Sequence, residues 1–159
     1  MGRVKEVAVV DAATGEVLLE TLVNPQTPVT SGALAVHGAS DAMVAGAPTW
    51  DQVLPEVLRV TGGWKILACN AEYDKTVAVA DCQRVGANPH HLSGRGSWGC
   101  ITCKRCDWEG LRDFLPLTGG HRGLGDACTA LDVMRSLVKS RGFAFSEGNS
   151  EPNRRLVQP

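Results

Sequence analysis

The sequence predicts an α/β fold built on a mixed sheet, and three observations carry that expectation. Two β-prone apolar runs near the start flank a Thr14-Gly15 turn, the pattern of a hairpin. A short apolar run, Ile66-Leu67-Ala68-Cys69, lies between two segments of helical period and reads as a buried strand. Two more helical segments follow, giving the order strand, strand, helix, strand, helix, helix, helix.

Taken in order, residues 4–11 form the first strand and residues 17–23 the second. Asn24-Pro25 ends the hairpin, because proline has no N–H to give to a ladder. Residues 29–39 form a loop of small residues in which Val36-His37-Gly38 turns the chain, so His37 reads as a turn residue rather than a ligand. Ser40 is placed to cap a short helix over 41–44. Thr49 and Gln52 make a capping box for the next helix, whose apolar face is Trp50, Val53, Leu54, Val57 and Leu58. Gly62-Gly63 stops that helix ahead of the buried strand. Asn70 suits the N-cap of a helix over 71–85, which puts Asp74 about one turn inside it. Residues 86–97 are a loop containing His90-His91, and residues 98–114 are expected to be helical until Pro116 and Gly119-Gly120 interrupt. The last helix, over 127–138, aligns Ala127, Ala130, Leu131, Met134, Leu137 and Val138. Residues 1–141 should make one domain. The tail 142–159 is polar, has two prolines and no period, and is expected to be disordered.

Composition bounds the function. The chain has 159 residues, 43% hydrophobic and 21% charged, enough for a single domain with a proper core. A net charge of -1 gives no global attraction to nucleic acid, so a polyanion would have to be held locally, by metal ions or a few basic side chains. No apolar run approaches a membrane span, and Met1-Gly2-Arg3-Val4-Lys5-Glu6 lacks the apolar core of a signal peptide, so the expected location is the cytoplasm, with no membrane partner. In that compartment the six cysteines are expected as reduced thiols, buried or bound to metal.

The stretch that carries chemistry is Thr118-Gly119-Gly120-His121-Arg122-Gly123-Leu124-Gly125-Asp126. A glycine-rich loop delivers a histidine, and an acid follows in the first turn of a helix, where unpaired N–H groups favour negative charge. Asp74 repeats the second half of that arrangement upstream. The blander reading makes both acids solvated first-turn residues. Asp81, two turns from Asp74, is too far away to share an ion and reads as a surface residue, as does Asp132.

Several short motifs coincide with those of one family. Val7-Ala8-Val9-Val10-Asp11 with Thr14-Gly15-Glu16, then Leu22-Val23-Asn24-Pro25, Val36-His37-Gly38, Ala47-Pro48-Thr49-Trp50, Asn70-Ala71-Glu72-Tyr73-Asp74 and His121-Arg122-Gly123-Leu124-Gly125-Asp126-Ala127 together resemble the DEDDh exonucleases. This RNase H-like group includes the proofreading subunit of bacterial DNA polymerase III and RNase T. The resemblance implies an RNase H-like mixed sheet flanked by helices. It also implies 3′-5′ removal of nucleotides from single-stranded or frayed ends of DNA or RNA, using two magnesium or manganese ions. It casts Asp74 and Asp126 as metal ligands and His121 as general base. Asn70 would cap the helix that aims Asp74, Tyr73 would pack beneath the site, and Lys104, Arg105, Arg112 and Arg122 are candidate phosphate contacts, their blander reading being solvated helix faces. A polymerase or a second copy of the chain is a possible partner.

One departure is large. The family's first motif, an Asp-x-Glu pair on the first and central strand, is absent, so two of four acids and the sheet's middle strand are expected to be missing. Glu6 and Asp11 fall on the next strand and are not substitutes, and Cys69 stands where the family often has a histidine. As written the chain is expected to be a weak nuclease or none, through a misplaced start, a truncation or a change of role to binding an end or a protein. A third reading rests on Cys100, Cys103 and Cys106 as a zinc site with His90, His91 or Cys82. Its alternative is that the three thiols are small residues on one helical face.

Overall fold

The computed structural model describes residues 2–28, 38, 40–110, 122–140 and 154–158, with the backbone alone for Trp108 and for residues 154–158. The predicted hairpin forms: β1 (Glu6–Asp11) and β2 (Val17–Leu22) pair antiparallel, with Glu6 opposite Leu22 and an irregularity between Val9 and Val10. The turn is fixed by Asp11, whose Oδ1 accepts the N–H groups of Ala13 at 2.8 Å and Thr14 at 3.1 Å, while Gly15 supplies a φ of 82°. A single helical turn, α1 (Asp41–Val44), and then α2 (Trp50–Thr61) follow, the latter with the Thr49 N–H donated to Gln52 Oε1 at 2.9 Å, as the capping box requires.

Next come β3 (Lys65–Ala68), α3 (Ala71–Arg84), a 3-10 turn at His90–Ser93, β4 (Trp98–Cys100), α4 (Ile101–Glu109), α5 (Gly123–Ser140) and β5 (Arg154–Gln158). Residues 98–100 were expected to open a helix. They instead pair parallel with β3, Ile66 against Trp98 through Ala68 against Cys100, and the helix starts only at Ile101. Edge pairing satisfies backbone groups that a longer helix would have left facing β3.

The sheet order is β2-β1-β5-β3-β4. β5 is therefore central, antiparallel to β1 and parallel to β3. These five residues come from the stretch expected to be disordered, and they occupy the middle position that the sequence leaves without a strand. Local composition gives no sign of this. The cause is tertiary: facing rows of N–H and C=O groups on β1 and β3 need partners, and a third strand supplies them.

Both faces of β1 are buried, and its alternation sorts the core into two layers. Val7 and Val9 pack with Trp50, Val53, Leu54 and Val57 of α2 and with Val77 and Cys82 of α3. Ala8 and Val10 pack on the other side against Ile101 of α4 and Ala127, Ala130 and Leu131 of α5. Asp81 is not the surface residue its spacing suggested. It is 2% exposed, accepts the Val4 N–H at 2.7 Å and pairs with Arg3 at 3.0 Å and with Arg84, so it anchors the chain ahead of β1. Asp132 is exposed, as expected. Among the described residues no helix is long and apolar enough to cross a membrane.

Candidate active site

The start of α3 follows directly on β3, and the start of α5 lies against β1 from the opposite face of the sheet. Each delivers an acid from its first turn, Asp74 and Asp126. The two are close enough that the charge of Asp126 raises the pKa of Asp74, and both charges act on the Cys69 thiol. The acids that the sequence puts far apart are thus brought together.

Asp74 is 6% exposed, and its Oδ2 has no hydrogen-bond partner among the described residues. Burial is the main reason that its carboxyl is pushed up to about 7; a backbone hydrogen bond from Asn70 opposes this, and Asp126 adds to it. A solvated first-turn acid would show neither property. The helix start holds the carboxyl rigidly, with the Asp74 N–H donated to the Asn70 carbonyl at 3.1 Å. Asn70 occupies the N-cap position, yet its side chain makes no capping bond and is exposed. Its backbone φ of -121° and ψ of 68° turn the chain sharply out of β3, which accounts for the side chain leaving the helix end. Tyr73 does not lie beneath the acids. It is 54% exposed and faces the segment around Gly2.

The start of α5 is held by a residue that sequence reasoning set aside. Glu6 on β1 accepts from Arg122 through both oxygens, Oε2 from Nε at 3.0 Å and Oε1 from a terminal nitrogen at 3.2 Å, and Oε2 also accepts the Gly123 N–H at 3.1 Å. A Cβ at position 123 would meet Glu6 Cγ at 3.0 Å, so any larger residue there would have to push the Glu6 side chain aside by a few tenths of an ångström. Arg122, expected as a phosphate contact, is engaged by Glu6, which raises its pKa. The signal was present in β1: Glu6 shares its face with Ala8 and Val10, the face that meets α5. Asp11 Oδ1 is committed to its turn.

Cys69, at the end of β3, couples this site to α4. Its thiol lies 2.9 Å from Thr102 Oγ1, and its carbonyl accepts from the Cys100 thiol at 3.1 Å and the Thr102 N–H at 3.4 Å. None of the six cysteines is in a disulfide. Among the described residues no group of three or more His, Cys, Asp or Glu is arranged to hold a metal, which removes support for a zinc site at Cys100, Cys103 and Cys106. The Cys82 thiol accepts from Trp50 Nε1 at 3.3 Å deep in the core, and the side chain of His91 bonds Thr61. His121, with His37, Arg112 and the glycines at 119 and 120, lies outside the described residues.

This sheet, with helices on both faces, is the RNase H-like fold of solved exonucleases. One structure, Exonuclease X in complex with 5′ overhanging duplex DNA, aligns with a TM-score of 0.61 and 23% identity over 88% of this chain and 85% of that one. A full-length 3′-exonuclease aligns with a TM-score of 0.55 and 16% identity over 94% of this chain and 60% of its own. The exonuclease family model, of the RNase T type, matches residues 3–134, and the chain belongs to this DEDDh exonuclease family. An uncharacterized exonuclease of Escherichia phage 186 is 37% identical over 84% of this chain and 79% of its own length. A putative bifunctional exonuclease/endonuclease protein of Mycobacterium tuberculosis is 38% identical over 87% of this chain, which spans 23% of that protein. A DNA polymerase III subunit epsilon-like protein of Rhodobacter capsulatus is 42% identical over 38% of this chain and 8% of its own length.

Proposed function

We propose that this exonuclease-family chain acts at 3′ ends of nucleic acids, with Asp74 and Asp126 holding a divalent cation and His121 serving as general base. The observation that carries the reading is the acid pair: a buried carboxylate with an unpartnered oxygen, its pKa pushed up to about 7, beside a second acid. Such a pair is unfavourable when both members are charged, and a hard cation between them relieves the strain. Magnesium or manganese, when bound, supplies charge neutralisation at a scissile phosphate and acidity to water.

The donor set fits one such ion and not two. Two carboxylates from two helix starts leave most of a six-oxygen shell to water and substrate, and no third acid joins them among the described residues. Hydrolysis by this chain is therefore expected to be weak. His121 directly precedes Arg122 of the Glu6–Arg122 clamp in the sequence, and the family resemblance assigns it the proton from the attacking water. The exposed Asn70, four residues before Asp74, offers an amide to a terminal nucleotide, while Arg122 contributes through the geometry it holds with Glu6. Candidate substrates are single-stranded, frayed or overhanging ends. A polymerase remains a candidate partner.

The test uses a single-stranded oligonucleotide labelled at its 5′ end, in manganese, with Asp74→Asn, Asp126→Asn and His121→Ala beside the wild type. Slow shortening from the 3′ end that stops with chelator and in all three variants is expected. Shortening that persists in the variants would sink the assignment. A second reading, end binding without hydrolysis, is favoured by the same two-acid count. Manganese-dependent retention of the oligonucleotide with no shortening would select it.

A further inference from the structure

We infer that Cys100 and Cys103 form a reversible dithiol–disulfide site, oxidised by low-molecular-weight disulfides such as glutathione disulfide. The site is local to the start of α4. Cys100 is the N-cap residue, with extended backbone, and its Sγ accepts the Cys103 N–H at 3.3 Å. This bond folds the Cys100 side chain back over the first helical turn, onto the residue three positions later. The Cys103 side chain also bonds the Cys100 side chain, so the two thiols meet at the helix start, the proximity that an S–S bond needs. Cys106 lies a further turn along, with both it and Cys103 inside the helix.

Two further features separate this pair from small residues on a helix face. Cys103 is exposed and Cys100 half-buried, so a small reagent can reach them, whereas Cys69 and Cys82 are buried. The two thiols also act on each other: the Cys103 thiol is pushed up to about 11, first by its bond with the Cys100 side chain. Cys103 thus holds its proton, while the Cys100 sulfur sits at the helix start and receives the Cys103 N–H.

The exchange balances as follows. The Cys100 thiol loses its proton and attacks one sulfur of the small disulfide, breaking that S–S bond. One small thiol leaves with the proton, and a mixed disulfide remains on Cys100. Cys103 then loses its proton and attacks the Cys100 sulfur, closing the Cys100–Cys103 bond and releasing the second small thiol. Two cysteine thiols are oxidised and one small disulfide is reduced to two thiols. The reduced Cys100 thiol donates to the Cys69 carbonyl at 3.1 Å, directly before the Asn70 turn that leads to Asp74. A disulfide has no S–H to give, so oxidation removes this bond to the strand end that positions the acid and leaves the two Thr102 bonds to Cys69 in place.

The test uses the full chain, equilibrated with a reduced and oxidised glutathione series, quenched by alkylation and read by intact mass and peptide mapping. The expected product is lighter by two hydrogen atoms, maps to Cys100–Cys103, reverts with reductant, and forms equally in Cys106→Ser and Cys128→Ser but not in Cys103→Ser. The exposed position of Cys103 keeps that variant folded, as circular dichroism checks. Absence of a disulfide, a stable glutathione adduct alone, or a bond mapped to Cys103–Cys106 or Cys69–Cys100 would each overturn the inference. None of these readouts depends on nuclease activity.

Discussion

Asp74 is the residue whose environment most directly shapes behaviour in solution. Its carboxyl ordinarily titrates near 3.8 and is pushed up to about 7 in the fold. Below the lower value it is neutral in both folded and unfolded chains. Between the two, only the unfolded chain ionises, so stability falls as pH rises, and above about 7 the deficit is complete. Asp74→Asn should therefore match the wild type near pH 4 and exceed it at pH 8, by up to about 4 kcal/mol for a shift of this size. Urea unfolding across that range would show it, and parallel curves for the two proteins would exclude it. Glu6 makes the opposite kind of contribution. Replacing it with alanine frees Arg122 and the Gly123 N–H, and a loss of about 1–3 kcal/mol is expected, with glutamine losing less because it still accepts from Gly123. Identical urea midpoints for all three would mean that the clamp contributes nothing.

Among the elements, those with strong internal pattern were legible. The β1–β2 hairpin, the capped α2, β3, α3 and α5 all follow from alternation, helical period and turn residues, with α5 extending a few residues beyond the apolar stripe at each end. The misses share a cause, since each depends on what lies across the fold. Trp98–Cys100 becomes a strand because β3 offers an edge, and Asp81 is buried because Arg3, Arg84 and the Val4 N–H converge on it. The acid pair at Asp74 and Asp126 was legible through motif resemblance. The Glu6 clamp was legible only in part: alternation puts Glu6 on the face of Ala8 and Val10, but nothing local in a strand says which loop its charged residue will meet. β5 is the extreme case, five residues from an unpatterned tail with Leu156 paired to both Val10 and Leu67. Leu156→Pro removes an N–H from a strand bonded on both sides and should cost about 3 kcal/mol or more. A lowered thermal midpoint is the expected result, and an unchanged one would show that β5 carries little of the fold.

Seen together, the two apolar layers meet at β1, and the acids sit where helices from both layers converge on the sheet. Binding of a cation there should be felt by the entire cooperative unit. Manganese is expected to raise the thermal midpoint at pH 8 in the wild type but not in Asp74→Asn; equal shifts in both would place the ion elsewhere. The layers are also joined through backbone bonding, and here chain order matters. β5 follows every other described element, yet it stands between two that precede it. On a ribosome, the hairpin and the β3–β4 pair must emerge and wait, each with an open edge, until residues 154–158 clear the exit tunnel. Synthesis stalled before that point leaves two unjoined half-sheets, the kind of nascent species that chaperones shield and proteases remove.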